Sequence, residues 1–164
     1  MKLATLEYLE AARERSNGDP KYLELAKGTN ESYTLVLDPD PAQGVTETTI
    51  IGFDNLDGKM NNLWEGQRPT LFTLSGPYGV WVDILRGKMG ATKAITMRKL
   101  KTQGPFLQLL AGSKRIIRWV EILRTIPTEF EGAYAQYNLP GGPLPTNEGE
   151  ATQPSEVEAA PEPQ

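Results

Sequence analysis

The fold of this protein is decided by residues 70–129, which read TLFTLSGPYGVWVDILRGKMGATKAITMRKLKTQGPFLQLLAGSKRIIRWVEILRTIPTE. Hydrophobic periodicity and the placement of Gly and Pro predict, in order, a strand at 70–74, a helix capped by Ser75 and closed by Gly87, a short helix at 90–97, a strand at 100–103 and a last helix from about 106 to 126. Gly112 and Ser113 predict a kink in that last helix.

The last helix is apolar over more than half of its circumference. At about 100° per residue, the apolar arc holds Ile116, Ile117, Trp119, Val120, Ile122, Leu123 and Ile126. The remaining side carries Lys114, Arg118, Glu121 and Thr125. Because one sheet face cannot cover so wide an arc, a second apolar contact is expected: a ligand, a second subunit or a membrane.

Residues 1–69 supply two more helices and three more strands. Apolar spacing predicts an amphipathic helix at 3–15, and Asp19 is placed to cap a short second helix that ends at Gly28. Period-two alternation predicts strands at 32–38, 45–53 and 59–65, the third with Met60, Asn62 and Trp64 on one side. Asp57-Gly58 is a hairpin signal between the second and third strands. A mostly antiparallel meander is expected.

The composition changes beyond Glu131, where Pro, Gly, Glu, Ser and Thr dominate. Such a segment buries too little apolar surface to offset the entropy lost on ordering. We therefore expect one domain over 1–131 and a Pro/Glu-rich tail over 132–164 that is disordered from about Asn138.

Cysteine and histidine are both absent from the 164 residues. Their absence removes the commonest nucleophile, the commonest general base near neutral pH and the usual ligands of zinc, haem and iron–sulfur centres. No apolar run is long enough to span a membrane, and acidic residues stand where a signal peptide would be apolar. We expect a cytoplasmic protein with no cofactor, no bound metal and no enzymatic activity.

The formal net charge of −4 hides a strong asymmetry. Residues 1–85 carry 7 basic and 13 acidic side chains, whereas residues 86–124 carry 10 basic and 1 acidic. Such a cationic stretch indicates the kind of partner that the protein binds and says little about its fold. It suits an anionic lipid headgroup, an anionic membrane or a solvated helix face. Nucleic acid would use the same charges, but stacking aromatic residues are sparse and no reader motif is present.

The run FTLSGPYGVWVDILRGKMGATKAITMRKLKTQG, residues 72–104, resembles the sterol carrier protein type-2 domain. In that family a capped helix ends in "GK" or "GE" and is followed by a short segment of the form "A...GKlk..G". Gly87-Lys88-Met89, Ala94, Lys99-Leu100-Lys101 and Gly104 fall at the family's spacing. One departure is Arg98, which stands where the family usually has Gly. The resemblance covers roughly residues 3–129.

The resemblance implies an α/β (α+β) fold with a five-stranded, mostly antiparallel sheet, helices packed over one face and an apolar tunnel between them. Candidate tunnel residues are Phe72, Leu74, Trp81, Ile84, Leu85, Met89, Ile95, Met97, Phe106, Leu109, Leu110, Ile117, Val120 and Leu123. Candidate contacts to a headgroup or a membrane are Lys88, Lys99, Lys101, Lys114, Arg115 and Arg118. For any one of the apolar residues, ordinary core packing is the simpler role.

The resulting hypothesis is a non-catalytic intracellular lipid carrier. It would bind a fatty acid, a fatty acyl-CoA or a phospholipid in the tunnel and transfer it to enzymes or membranes. The alternative is an interaction module that uses the wide apolar face of the last helix to form a homodimer or to dock on an enzyme of lipid metabolism.

Overall fold

The computed structural model describes residues 1–144. The helices and strands are α1 (Leu6–Asn17), α2 (Pro20–Ala26), β1 (Ser32–Asp38), β2 (Thr49–Leu56), β3 (Lys59–Glu65), β4 (Phe72–Pro77), α3 (Tyr78–Leu85), α4 (Ala91–Thr96), β5 (Lys101–Gln103), α5 (Phe106–Ala111) and α6 (Ser113–Leu123). Short 3-10 turns occupy Pro41–Gln43 and Gly132–Tyr137.

The five strands form one sheet in the order β3-β2-β1-β4-β5. Neighbouring strands are antiparallel except β1 and β4, which run parallel. The predicted five-stranded, mostly antiparallel sheet is therefore confirmed. The expected meander stops at β3, because residues 66–71 carry the chain past β1, where the Thr34 and Thr70 hydroxyls lie 2.8 Å apart.

The helices cover one face of the sheet, as expected. Alternation along β1 directs Tyr33, Leu35 and Leu37 toward the helices, where all three are buried. Thr34 lies on the opposite face, where the carbonyl of Arg68 accepts a hydrogen bond from its hydroxyl. The period of two in this strand thus places the apolar core between the sheet and the helices.

The β2–β3 hairpin contains a bulge that the sequence did not reveal. The register shifts between Phe53 and Asn55, so that Met60 opposes Asn55 while Leu63 opposes Phe53. As a result Met60 points to the core, but Trp64 packs over Gly52 on the other face. The prediction that Met60 and Trp64 share one side of the strand was wrong.

Two helix starts also differ from those predicted. The side chain of Thr5 caps α1 by accepting a hydrogen bond from the Tyr8 N–H at 3.2 Å, so this helix begins at Leu6. Ser75 caps no helix because it lies inside β4, paired with Val36 on one side and Lys101 on the other. The cap at Asp19 was predicted correctly: its carboxylate accepts from the Tyr22 N–H at 2.9 Å.

The predicted last helix is divided into α5 and α6 at Gly112, the position of the expected kink. The side of α6 predicted to be polar is not solvated, because Arg118, Glu121 and Thr125 are all buried. The reason is α2, which packs there and forms a small apolar cluster with Ile122. The second contact that α6 requires is thus provided within the chain.

The domain continues past residue 131, where the sequence placed its end. Thr128 and Leu139 exchange backbone hydrogen bonds of 2.9 Å, and Gly142 donates one to the carbonyl of Thr125. Leu144 packs against the cluster of Ile122 and α2. Residues 132–144 are therefore ordered against the domain, which corrects the prediction of disorder from Asn138. The rest of the predicted tail, 145–164, lies outside the described residues.

Candidate functional site

A cavity of about 90 Å³ lies between the inner face of the sheet and the helices, and its walls are almost entirely apolar. The sheet contributes Tyr33, Leu35, Leu37, Ile51, Phe53, Asn55 and Leu74. The helices and their flanking residues contribute Leu3, Ala4, Tyr8, Leu9, Tyr22, Trp81, Ile84, Leu85, Ala91, Ile95, Leu100, Arg115, Ile116, Trp119, Val120 and Leu123. The cavity therefore faces every helix except α5.

Half of the apolar residues singled out from the sequence meet at this cavity. They are Leu74, Trp81, Ile84, Leu85, Ile95, Val120 and Leu123. Trp81 is held by hydrogen bonds from its indole N–H to the carbonyls of Val36 and Gly76, at 3.1 and 3.2 Å. These bonds fix the indole across the ends of the two parallel strands.

The other apolar candidates lie outside the cavity lining. Phe72 and Leu109 are fully buried in the core, and Met89, Leu110 and Ile117 are half-buried. Met97 and Phe106 are exposed. These residues can reach a ligand only if the helices rearrange.

Residues 3–55 contribute a part of the lining that was not predicted from the sequence. That part includes α1, α2 and the inner faces of β1 and β2. A signal was present in the alternation of Tyr33, Leu35 and Leu37 and in the apolar stripe of α1. Such a pattern does not distinguish the wall of a cavity from a filled core, because both require apolar side chains on the inner face.

The cavity is too small for a lipid chain in this conformation. Pockets that hold small molecules typically measure about 300–1,000 Å³. At about 90 Å³, this cavity is well below that range. Binding a long acyl chain therefore requires the helical layer to move away from the sheet.

One end of the cavity is polar. Arg115 is the one charged residue of the lining among the described residues, and its guanidinium donates to Glu31 Oε1 at 2.7 Å. The Tyr33 hydroxyl donates to the same Glu31 oxygen at 2.6 Å. Glu31 Oε2 accepts from the side-chain amide of Gln108 at 2.8 Å, which ties α5 to the start of β1. We call Glu31, Tyr33, Gln108 and Arg115 the Glu31 network.

Burial and charge set the protonation states in the Glu31 network. Burial raises the pKa of Tyr33 above its usual value, so its hydroxyl stays protonated. Burial acts to lower the pKa of Arg115, but Tyr33 and Glu31 outweigh it and raise that pKa overall. The guanidinium is thus permanently charged.

A second buried arginine lies one turn along α6. Arg118 donates to both oxygens of Asp19, at 2.8 and 2.9 Å, and to Glu121 at 3.0 Å. We call these three residues the Arg118 cluster. The cluster joins α2 to α6 away from the cavity, so the assignment of Arg118 to a headgroup or membrane contact does not fit its burial.

The remaining basic candidates are exposed. They are Lys88, Lys99, Lys101 and Lys114. Between Lys101 and Lys114 lies α5, whose Leu107 is 81% exposed and whose Phe106 is 42% exposed. We call Phe106 and Leu107 the α5 patch. It places apolar side chains on the surface in a segment flanked by positive charge.

No helix within residues 1–144 is both long and apolar enough to cross a membrane. The same part of the chain holds no group of acidic side chains that could bind a metal ion.

The sequence matches the model of the SCP-2 sterol transfer family over residues 9–111, more than half of the chain. The chain belongs to the SCP-2 sterol transfer family. This membership confirms the family recognised from residues 72–104, and with it a fold that serves lipid binding and transfer. Comparison with curated proteins gave no match to this SCP-2 family member.

Solved structures share the fold of this SCP-2 family member. A crystal structure of sterol carrier protein 2 has 20% identity and a TM-score of 0.68, covering 76% of this chain and 99% of that chain. A solution structure from Thermus thermophilus, described as possibly a sterol carrier protein, has 19% identity and a TM-score of 0.67, covering 87% and 93%. A solution structure of a palmitated protein from Aedes aegypti has 13% identity and a TM-score of 0.50, covering 70% and 95%. At such identities the likeness concerns the fold.

Proposed function

We propose that this SCP-2 family member is a non-catalytic intracellular lipid carrier. It would hold the acyl chain of a fatty acid, a fatty acyl-CoA or a phospholipid between the sheet and the helices and transfer it to enzymes or membranes. The observation that carries the proposal is the apolar cavity enclosed by the sheet and five helices. The palmitated Aedes aegypti structure of the same fold supports this choice of ligand.

The driving force for binding would be burial of the acyl chain. Each buried CH₂ contributes about 0.8 kcal/mol, so a chain of about sixteen carbons gains on the order of 10 kcal/mol before the costs of association. An apolar cavity can therefore bind such a chain without any special polar group. The same gain offsets the cost of moving the helices apart.

The element best placed to move is α5. It has six residues, it is separated from α6 by Gly112, and it contributes nothing to the cavity lining. Beyond its own packing, the bond from Gln108 to Glu31 holds it to the sheet. A short helix with few buried contacts opens at low free energy, so displacement of α5 is the proposed route of entry.

The proposed membrane contact is the α5 patch with the exposed Lys101 and Lys114 beside it in sequence. Leucine and phenylalanine side chains partition into the acyl boundary of a bilayer, and each nearby lysine adds roughly 1 kcal/mol on an anionic surface. Contact at α5 would place the proposed entry route against the source of the lipid.

The first experiment is direct recovery of the ligand. Native mass spectrometry and organic extraction of the purified full-length chain are expected to yield a long-chain lipid in stoichiometric amount. A chain that is reproducibly empty, and that also fails to bind added lipid, would refute the carrier function.

The second experiment uses two adjacent isoleucines on α6. Ile116 lines the cavity and Ile117 does not, although both are half-buried. Ile116→Trp is expected to fill the cavity and to weaken binding of the neutral fluorescent probe N-phenyl-1-naphthylamine by at least about tenfold, while Ile117→Trp changes it little. If the two substitutions weakened binding equally, the lipid would bind outside this cavity.

The third experiment concerns the membrane. Leu107→Glu is expected to slow transfer of a fluorescent fatty acid to vesicles that contain phosphatidylglycerol. The matched control is Leu56→Glu, because Leu56 is 61% exposed but lies at the end of β2, next to Asp57 of the hairpin turn. Equal transfer rates for the two variants would show that the α5 patch does not take part in transfer to the membrane.

The alternative of a dimerising module loses its main argument. That argument was the wide apolar arc of α6, which the structure covers from within: Ile122 packs on α2, while Val120 and Leu123 face the cavity. Sedimentation with and without lipid tests the dimer hypothesis, because a dimer held together by α6 would stay associated in both cases.

A further inference from the structure

The polar end of the cavity carries no net charge, because its cation, Arg115, is paired with a carboxylate. Arg115 is the lining residue expected to attract an anion, but Glu31 Oε1 already lies 2.7 Å from its guanidinium. The side chains of Arg115 and Glu31 are only 11% and 8% exposed, so water screens neither charge strongly. The positive charge at this end is therefore neutralised from within the chain.

A carboxylate headgroup placed beside Arg115 would also lie close to Glu31. Two carboxylates that share one cation repel each other, and in a buried site this repulsion disfavours the charged form of one of them. Moving Glu31 aside would break its bonds to Tyr33 and Gln108 as well. An anionic headgroup is thus opposed at this position by a residue that is itself held in place.

Asn55 provides a second and independent observation at the same end. It is 5% exposed, it lines the cavity, and its side-chain amide hydrogen-bonds to the Tyr22 hydroxyl, whereas its Oδ1 accepts no hydrogen bond within the described residues. A buried acceptor without a donor is costly, and a ligand that brings an O–H group would relieve that cost. The acceptor that remains free, Asn55 Oδ1, suits a hydroxyl, which donates but carries no charge.

We propose that the polar end of the cavity receives an uncharged hydroxyl headgroup beside Asn55 and Tyr22, and that Glu31 excludes a carboxylate from the same position. This inference rests on the proposed function, since it concerns the headgroup of a lipid whose chain fills the cavity. Long-chain alcohols and other hydroxyl-terminated lipids bind with the headgroup inside. A fatty acid or an acyl-CoA keeps its charged group at the exposed lysines outside.

The test compares dodecanol with dodecanoate at neutral pH, by displacement of N-phenyl-1-naphthylamine from the full-length chain. The wild type is expected to bind dodecanol at least about tenfold more tightly than dodecanoate. Glu31→Gln keeps an acceptor for Arg115 but removes the negative charge. This variant is expected to bind dodecanoate about tenfold more tightly than the wild type does, with the affinity for dodecanol changed little.

The matched control is Glu121→Gln. Glu121 is also a buried glutamate paired with an arginine of α6, but it belongs to the Arg118 cluster away from the cavity. It should leave the ratio of the two affinities unchanged. A double variant, Glu31→Gln with Arg115→Gln, should lose the gain in dodecanoate affinity, because the cation that produced it is gone.

The outcomes separate the two proposals. If neither the probe nor either ligand binds the wild type, the carrier function fails. If the wild type prefers dodecanoate, or if Glu31→Gln leaves dodecanoate binding unchanged while the probe still binds, the headgroup inference fails and the carrier function stands. The comparison of ligands on the wild type needs no variant, so a preference for dodecanoate would overturn the headgroup inference even if Glu31→Gln does not fold.

Discussion

Arg115 and Arg118 lie three residues apart on the same helix, and both are buried in ion pairs, but they serve different parts of the molecule. Arg118 is enclosed between α2 and α6 by Asp19 and Glu121. Arg115 reaches the end of the cavity, where it meets Glu31 and the Tyr33 hydroxyl. The Arg118 cluster joins two helices, whereas the Glu31 network sets the charge that a ligand would encounter.

The comparison shows that chemistry and spacing alone do not separate a structural arginine from a binding one. Both residues are basic, both are on α6, and both were assigned to the same role from sequence. They differ in what surrounds them: α2 faces Arg118, and the polar end of the cavity faces Arg115. Substitution of the two arginines should therefore give different results.

The largest effect is expected from Arg118→Met. This change leaves Asp19 and Glu121 buried without their cation, which typically costs about 3–5 kcal/mol in the free energy of unfolding. Urea denaturation measures the loss. The folded fraction should keep the wild-type preference between dodecanol and dodecanoate. A loss below about 1 kcal/mol in the free energy of unfolding would mean that the Arg118 cluster does not stabilise the packing of α2 on α6.

A smaller loss is expected from Arg115→Met. Glu31 would keep the hydroxyl of Tyr33 and the amide of Gln108 as donors, so the expected cost is about 1–3 kcal/mol. The same denaturation experiment provides the measurement. If Arg115→Met proved more destabilising than Arg118→Met, the division between a structural cluster and a binding network would be reversed.

The smallest effect is a pH dependence confined to the Arg118 cluster. Burial acts to raise the pKa of Asp19, but Arg118 and the Tyr22 amide outweigh it and hold that pKa below 3.8. Because the folded-state pKa is the lower one, this stability is fully present above about pH 5 and is lost as the pH falls below 3.8.

Asp19→Asn provides the control for this pH dependence. Its deficit in the free energy of unfolding relative to the wild type should be constant near neutral pH and should shrink in acid. A deficit that stays the same down to strongly acidic pH would show that the carboxylate charge contributes nothing.

Much of the fold followed from local sequence. Alternation in β1 and the spacing in residues 72–104 were sufficient for the sheet and the family, because both patterns are read within one element or between adjacent ones. The bulge between Phe53 and Asn55 was not visible, since one extra residue in a strand leaves composition unchanged. The continuation of the domain to residue 144 was not predicted for a different reason, because the Pro and Gly residues there are typical of a disordered tail.

The candidate site was harder to predict than the fold. The Arg118–Asp19 pair joins residues 99 positions apart and the Arg115–Glu31 pair joins residues 84 apart, and no periodicity connects such distant positions. The apolar arc of α6 predicted a second apolar contact with a ligand, a second subunit or a membrane, and it did not indicate that α2 covers part of the arc. Long-range packing therefore decides which charges are available to a ligand.

The central claim, that a lipid chain lies between the sheet and the helices, is tested most directly by the three tryptophans. Trp81 and Trp119 line the cavity, whereas Trp64 packs over Gly52 on the opposite face of the sheet. In variants that retain only Trp119 or only Trp64, a dibrominated octadecanol should quench the fluorescence of Trp119 strongly and that of Trp64 weakly. Equal quenching, or quenching of Trp64 alone, would contradict the account.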